Sequence, residues 1–163
     1  MKKLFVSIIL GLLMSLSVAT VTLADATFSD VWELCPDGAW KVKSPSGGYI
    51  CNAWFCDDAV PANGNNVWYL LGYDGSMISA GLVQDGTGNY YSIETNHNGY
   101  YGMMRYVDGW YNCNGQQVYL QFNKNHDGGF GKVINADGLA KLKAIYGVTP
   151  FNVTGGLQYT STF

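Results

Sequence analysis

The sequence is poor in charged residues, in histidine and in glutamate. Its 163 residues include 9 lysines and arginines, 12 aspartates and glutamates and 2 histidines, which give a net charge of −3 at pH 7. A chain with this balance has no basic face for a nucleic acid, so the composition argues against nucleic-acid binding. Glu33 and Glu94 are the only glutamates, which leaves few candidates for the carboxylate pair of a glycoside hydrolase.

Motifs of common catalytic and metal sites are missing as well. The sequence has no GxSxG, HExxH or P-loop, no dinucleotide-binding glycine pattern and no CxxC pair of the kind that structural zinc sites use. Aspartates such as Asp57, Asp74 and Asp85 lie in predicted turns and linkers, where their carboxylates bond to the local backbone. We therefore predict that the protein is not an enzyme and uses no cofactor or metal ion.

Aromatic residues and glycine are abundant instead. The chain has 12 tyrosines, 7 phenylalanines, 5 tryptophans and 21 glycines. Disordered chains contain few aromatics, so this composition predicts a folded protein. It favours short aromatic strands joined by sharp turns, with rings available to stack on a ligand.

The N-terminus has the layout of a secretory leader. Lys2 and Lys3 precede an apolar run over residues 4–21, and small residues follow up to Ala26. We predict a signal peptide over residues 1–24, with cleavage after Ala24 or Ala26. The alternative is an uncleaved membrane anchor, because the run is nearly long enough to span a bilayer. The predicted location is secreted or associated with the cell surface.

All four cysteines follow this leader. An even number of cysteines in an exported chain favours disulfides, and the spacing leaves their pairing open. Buried thiols are the alternative. The candidates for disulfides are Cys35, Cys51, Cys56 and Cys113.

One hairpin signal dominates the middle of the chain, over residues 66–82. The aromatic and apolar run from Trp68 to Leu71 predicts a strand. Residues 73–76 predict a turn, because Gly75 can supply a positive φ, and residues 77–80 predict the return strand. A single hairpin is marginally stable in water, so we expect further copies.

Four glycines anchor the predicted copies: Gly47, Gly75, Gly99 and Gly128. The residues two places later are all large and apolar, as expected of one stacked core position: Tyr49, Met77, Tyr101 and Phe130. We predict a mostly β fold in which an array of about four β-hairpin repeats, similar to a β-solenoid, spans residues 27–134. His97 and His126 hold the same turn position of matched units, which favours a structural role over catalysis or metal binding.

A helix is predicted after the repeats. Leu139, Leu142, Ile145 and Tyr146 recur at helical spacing, with Asp137 as the candidate N-cap and Gly147 as the stop. We predict that residues 135–163 form a helix and tail that cap the array, with a last strand within residues 157–163. A protein partner bound through this helix is the alternative.

The best hairpin unit resembles a known repeat. The segments WYLLGYDGSM (residues 68–77) and SAGLVQDG (residues 79–86), followed by Tyr90 and Tyr91, are similar to the cell-wall-binding repeat, the choline-binding and glucan-binding repeat family of secreted bacterial proteins. The resemblance is good over residues 67–103 and looser over residues 38–54 and 118–133. It implies a superhelical array of hairpins whose rings hold the choline groups of teichoic acids or stack on glucan.

The resemblance also implies ligand-binding residues. These are the rings Trp54, Trp68, Tyr69, Tyr90 and Tyr106, with Trp54, Trp68 and Tyr90 as a possible three-ring cage. Leu82 departs from the family, because the repeat has a ligand-facing tryptophan there. The alternative for each ring is a place in the core.

The predicted function follows from this resemblance. It is a secreted, non-catalytic binding module that attaches to cell-wall polymer, either choline-bearing teichoic acid or glucan. The alternative is a secreted effector or interaction protein that uses the repeats as a disulfide-stapled scaffold.

Overall fold

The computed structural model of the protein describes residues 31–62, 65–154 and 157–159. The predicted leader lies outside the described residues. Within the described ranges the protein is mostly β, with one short helix near the C-terminus, as predicted. The elements are β1 (Trp32–Leu34), β2 (Trp40–Val42), β3 (Ala53–Ala62), β4 (Asn65–Leu71), β5 (Leu82–Gln84), β6 (Tyr90–Ser92), β7 (Gly109–Cys113), β8 (Gln116–Leu120), α1 (Ala136–Tyr146), β9 (Thr149–Pro150) and β10 (Leu157–Tyr159).

The first eight strands pair in sequence order as four antiparallel hairpins, β1–β2, β3–β4, β5–β6 and β7–β8. The second strand of each hairpin is followed by a turn that closes with the same hydrogen bond. In each turn the N–H of a glycine at φ between 79° and 94° donates to a main-chain carbonyl at the start of the turn. A side chain at such a φ is strained, so glycine is required. The four glycines are Gly47, Gly75, Gly102 and Gly131.

These glycines correct the predicted repeat frame in its second half. The sequence pattern predicted Gly99 and Gly128 as the anchor glycines of the last two repeats. In the structure, Gly102 and Gly131 donate the turn bond instead. Gly75 follows its acceptor Gly72 by three positions, but Gly102 and Gly131 each follow theirs by eight, because the last two turns are longer. The residues that correspond to Tyr49 and Met77 are therefore Met104 and Val133, and not Tyr101 and Phe130.

Consecutive hairpins are joined by a further backbone bond. The N–H of Met77 donates to the carbonyl of Trp40 at 2.8 Å, and Met104 and Val133 donate to Trp68 and Tyr90 at the same distance. The acceptors lie in β2, β4 and β6 at matching positions, each four residues before the carbonyl that accepts the turn bond. Each hairpin therefore contacts the next one through the same pair of backbone groups.

Asn135, the N-cap residue just before α1, supplies the corresponding bond for the last hairpin. Tyr119 in β8 matches Trp40, Trp68 and Tyr90, and its carbonyl accepts a bond from Asn135 Nδ2 at 2.9 Å. Asn135 Oδ1 in turn accepts the N–H of Gln121 at 2.9 Å. The Asn135 side chain thus forms hydrogen bonds with the backbone at Tyr119 and Gln121. In the other three hairpins, a backbone N–H from the turn after the next hairpin makes the corresponding bond.

The helix boundaries are close to those predicted. Asn135, and not Asp137, is the N-cap residue, and Asp137 lies in the first turn, where a negative charge suits the helix dipole. Gly147 ends the helix at φ 70° and donates its N–H to the carbonyl of Lys143, which confirms the predicted stop. Among the described residues, no helix is long and apolar enough to cross a membrane.

Asn135→Ala is expected to lower the free energy of unfolding by about 1–2 kcal/mol. The substitution removes both side-chain bonds to β8, and a net hydrogen bond contributes roughly 1 kcal/mol. Urea unfolding followed by circular dichroism measures the change. The exposed Asn152→Ala serves as the matched control and should stay within about 0.5 kcal/mol of the parent. Equal stability of the two variants would contradict a capping role for Asn135.

The buried apolar side chains of the described residues form three clusters that follow the chain. The first draws on β1 to β4 and includes Trp32, Phe55 and Tyr69. The second draws on β4 to β6 and includes Leu70, Tyr91 and Met104. The third draws on β5, β7, β8 and the fully buried Leu142 of α1. The tail then runs back along the hairpins, with β9 parallel to β5 and β10 parallel to β3.

No disulfide joins the four cysteines, so the predicted disulfides are corrected. The Cys35 thiol lies 3.7 Å from the Tyr49 hydroxyl, while the Cys51 thiol lies 3.5 Å from the Tyr49 carbonyl, so the length of the tyrosine separates them. Cys113 accepts a bond from Arg105 Nη1 at 3.1 Å. Cys56 is buried in β3, and this burial raises the pKa of its thiol to about 12.

Aspartates hold several turns together. Asp74 accepts bonds from the N–H and hydroxyl of Ser76, and these bonds lower the pKa of Asp74 below its ordinary value of 3.8. Burial alone would raise the pKa of Asp85, but bonds from Thr87 and Asn89 outweigh this effect and lower it. A carboxylate whose pKa is lowered on folding stabilises the protein above its unfolded pKa, and this stabilisation is lost as pH falls through the folded value.

Stability should therefore fall as pH drops below about 3.8, the ordinary aspartate value. In the Asp74→Asn, Asp85→Asn double variant, this fall should be smaller, because two of the carboxylates responsible are gone. Urea midpoints measured between pH 7 and pH 2.5 test the difference. Parallel curves for parent and variant would show that these aspartates do not carry the acid sensitivity.

Candidate functional site

An open pocket of about 180 Å³ lies where the second, third and fourth hairpins contribute side chains. Trp54 and Trp68 come from the β3–β4 hairpin, and Tyr91 comes from β6. The remaining lining residues come from the turns that follow the third and fourth hairpins. They are Met104, His126, Gly128 and Phe130.

Strand register places the two tryptophans together. Leu70 pairs with Trp54, and Cys56 pairs with Trp68, so Trp54 and Trp68 lie diagonally on one face of the hairpin, within reach of each other's rings. Met104 is brought beside them by its backbone bond to Trp68. The link between consecutive hairpins therefore also builds the pocket.

Ring contacts fix two walls of the pocket. The Trp54 ring meets the Tyr91 ring at 5.3 Å and the Phe151 ring at 5.8 Å, both edge to face. On the other wall the His126 ring stacks on Phe130 at 4.5 Å with an interplanar angle of 9°. These are the separations at which aromatic pairs attract, so the walls are positioned before any ligand arrives.

Negative charge lies near the pocket. None of the seven residues that line it is an aspartate, glutamate, lysine or arginine. The Tyr91 hydroxyl donates to Asp85 Oδ2 at 3.2 Å, and burial, followed by Asp85 and, more weakly, Asp127, raises the pKa of Tyr91 to about 12. An uncharged aromatic cavity with carboxylates near one of its rings favours a cationic ligand over an anionic one.

The structure brings together two rings of the predicted cage. Trp54 and Trp68 line the pocket, and Tyr91 takes the place of Tyr90 in the lining, although it is only 4% exposed and also packs in the second core cluster. Adjacent residues of a strand point to opposite faces. Tyr90 and Tyr91 are adjacent in β6, so only one of them can face the pocket. Tyr90 instead packs against the third core cluster, which includes Leu142 of α1. Lys143 Nζ lies 4.0 Å from the centroid of the Tyr90 ring.

Tyr69 and Tyr106 lie outside the pocket lining. Tyr69 is only 2% exposed and packs against the Trp32 ring at 4.8 Å, so the structure places it in the core. Tyr106 is half-buried, and its ring lies 5.5 Å from the Phe130 ring. Tyr106 therefore supports a wall of the pocket without lining it.

Sequence reasoning missed Met104, His126, Gly128 and Phe130 as site residues. The last three belong to the long turn after β8. The signal available in the sequence was the similarity of YYSIETNHNGYYG (residues 90–102) to YLQFNKNHDGGFG (residues 119–131), which includes this turn. His97 stacks on Tyr101 at 4.2 Å, as His126 stacks on Phe130 at 4.5 Å, so the two long turns contain similar ring pairs. In the described ranges, no three His, Cys, Asp or Glu side chains are grouped so as to hold a metal ion.

A buried ion pair lies elsewhere in the third hairpin and its turn. Arg105 binds Glu94 through two bonds, Nη2 to Oε1 at 2.8 Å and Nε to Oε2 at 3.2 Å. Their side chains are 3% and 8% exposed. Arg105 also donates to Cys113 Sγ and stacks over the Tyr111 ring at 4.7 Å. Because these groups are satisfied by one another, we assign the cluster a structural role.

No family model matches the chain, and no curated protein matches it either. The function is therefore argued from the geometry of the pocket.

Proposed function

We propose that the protein is an exported, non-catalytic binding module that holds a quaternary ammonium group, such as the choline of a cell-wall polymer, in the aromatic pocket. One observation carries this proposal: Trp54, Trp68 and Tyr91 converge with Met104 on a single open cavity. Export rests on the N-terminal leader pattern, and polymer attachment rests on the repeat resemblance.

The chemistry of the pocket suits this ligand. A quaternary ammonium carries positive charge and has no hydrogen to donate, so it is recognised by ring faces, at roughly 0.5–2 kcal/mol per ring. The carboxylate of Asp85, bonded to the Tyr91 hydroxyl, adds a favourable field. An anionic ligand would meet no fixed positive charge among the residues that line the cavity.

The size of the pocket points the same way. Its volume of about 180 Å³ is below the roughly 300–1,000 Å³ of pockets that enclose a drug-sized molecule. A single head group on a polymer fits this space, whereas an oligosaccharide would contact only the rim.

We further propose that the four hairpins form one stacked, solenoid-like array, closed at its end by α1. Three backbone bonds, each with a donor–acceptor distance of 2.8 Å, support the stack, and the Asn135 side chain supports the closure. Each core cluster combines residues of neighbouring hairpins, as expected of repeats that cannot bury their faces alone.

Retention on choline-derivatised agarose tests the proposed function. The full chain should be retained in buffered salt and should elute with free choline. Sodium chloride at the same ionic strength is the control and should leave the protein bound. Failure to bind the choline resin would refute the assignment, and elution by salt alone would show simple ion exchange instead.

A further inference from the structure

The tail that follows α1 brings the ring of Phe151 against two of the rings that line the aromatic pocket. The Phe151 ring centroid lies 5.8 Å from that of Trp54 and 6.2 Å from that of Tyr91, at interplanar angles of 88° and 68°. The Trp54 and Tyr91 rings are themselves 5.3 Å apart, so the three rings form a closed triangle of edge-to-face contacts. Phe151 is not one of the residues that line the pocket, so its ring contacts the wall without entering the cavity.

Backbone bonds hold this tail on the two hairpins that supply those rings. Strand β9 pairs in parallel with β5, and the N–H of Phe151 donates to the carbonyl of Gln84 in β5 at 3.0 Å. Three residues later, the N–H of Thr154 donates to the carbonyl of Asn52, one residue before β3, at 3.0 Å. Strands β5 and β3 belong to the third and second hairpins, so the tail spans the junction between the two.

We propose that Phe151 is a positioning residue for the aromatic pocket: its ring holds Trp54 and Tyr91 in the arrangement that binds the ligand. The tail thereby becomes part of the binding site although it contributes no lining residue. Rings that are already held in place bind more tightly, because ordering them during binding costs free energy. This inference rests on the proposed function for the identity of the ligand, whereas the placement of the rings can be tested without a ligand.

Val153 separates the ring contact from the general packing of the tail. Phe151 and Val153 are both partly buried, and both pack against the second core cluster. Val153 has no ring, so its loss removes apolar contact from the tail and leaves the triangle of rings complete. A purely structural role for the tail predicts similar effects of the two losses, whereas positioning by Phe151 predicts that only one of them changes ligand affinity.

Isothermal titration of the full-length variants with choline chloride tests the proposal, at a temperature where circular dichroism shows each variant to be folded. Phe151→Ala should raise Kd at least about fivefold, because Kd rises as the population of the binding arrangement falls. The matched control Val153→Ala should stay within about twofold of the parent, because its rings keep their arrangement. Phe151→Leu keeps apolar volume without a ring. It should raise Kd at least about threefold, and it replaces the alanine variant if that one does not fold.

A folded Phe151→Leu variant that binds choline like the parent would overturn the inference. Equal weakening by Val153→Ala and Phe151→Ala would also overturn it and would assign the effect to anchoring of the tail. Fluorine NMR of protein labelled with fluorotryptophan observes the Trp54 ring without any ligand, with its resonance assigned through Trp54→Phe. That resonance should be sharp in the parent and in Val153→Ala, and broadened or split in Phe151→Leu.

The same spectrum separates this inference from the proposed function. If the parent does not bind choline, the proposed function fails, and the Trp54 resonance alone decides the positioning role. A broadened or split resonance in Phe151→Leu would then support positioning by Phe151, and a single sharp resonance in that variant would refute it.

Discussion

Trp68→Ala is expected to weaken choline binding by about tenfold or more. Trp68 presents its ring to the cavity from β4, and its loss removes one of three cation–π partners together with a wall of the site. One ring contributes up to roughly 2 kcal/mol, and 1.4 kcal/mol corresponds to a factor of ten in Kd. Isothermal titration of the purified protein with choline chloride measures the change.

Graded variants separate loss of the ring from loss of the fold. Trp68→Phe keeps a ring face and should recover part of the affinity. Tyr91→Phe keeps its ring and loses only the hydroxyl bonded to Asp85. That bond does not touch the ligand, so the loss of roughly 0.5–1.5 kcal/mol should fall on the stability of the fold, and Kd should stay within about threefold of the parent value. A Trp68→Ala variant that folds and binds choline like the parent would rule out the pocket.

Arg105→Ala is expected to give the largest loss of stability, about 3–5 kcal/mol. Removing one partner of a buried ion pair leaves the other charge uncompensated, and the Glu94 side chain is only 8% exposed. Glu94 also accepts two bonds from Asn96, but these do not replace the guanidinium charge. Urea unfolding monitored by tryptophan fluorescence measures the effect.

Lys124→Ala is the control for this comparison. Lys124 pairs with Asp108 at 2.9 Å, but the two side chains are 49% and 41% exposed. Exposed pairs are worth at most about 1 kcal/mol, so its loss should be small. The Glu94→Leu, Arg105→Met double variant should recover much of the lost stability, because a buried pair can be replaced by apolar packing. A loss below about 1 kcal/mol for Arg105→Ala would contradict the structural role of the pair.

Local patterns did not predict the strand pairing: residues 77–80, the predicted return strand, contribute only an isolated bridge between Met77 and Leu71, and β4 pairs with β3 instead. They did predict strand β4 and helix α1, because those signals lie within a few residues. Gly147 ends α1 where the helical spacing stops, and Trp68 to Leu71 form the strand that their side chains favour. Local patterns predicted the wrong turn glycines for the last two hairpins. Asn98–Gly99 and Asp127–Gly128 carry common turn signals, yet Gly102 and Gly131 close the turns, and bonds across the turn decide between them.

The candidate site was predicted in part for a related reason. Trp54 and Trp68 lie in one hairpin, so their shared face follows from strand pairing. Choosing Tyr91 over Tyr90 needs the exact register, since a shift of one residue reverses the faces. His126 and Phe130 reach the pocket through a turn more than fifty residues after Trp68, and no local pattern encodes that contact.

Paired titrations with choline and 3,3-dimethylbutan-1-ol test the central claim most directly. The two molecules have nearly the same shape, but the second has a neutral carbon in place of the ammonium nitrogen. If the rings of Trp54, Trp68 and Tyr91 recognise positive charge, choline should bind at least about tenfold more tightly than its neutral analogue. Equal affinity for both molecules, or no measurable affinity for choline, would contradict the account.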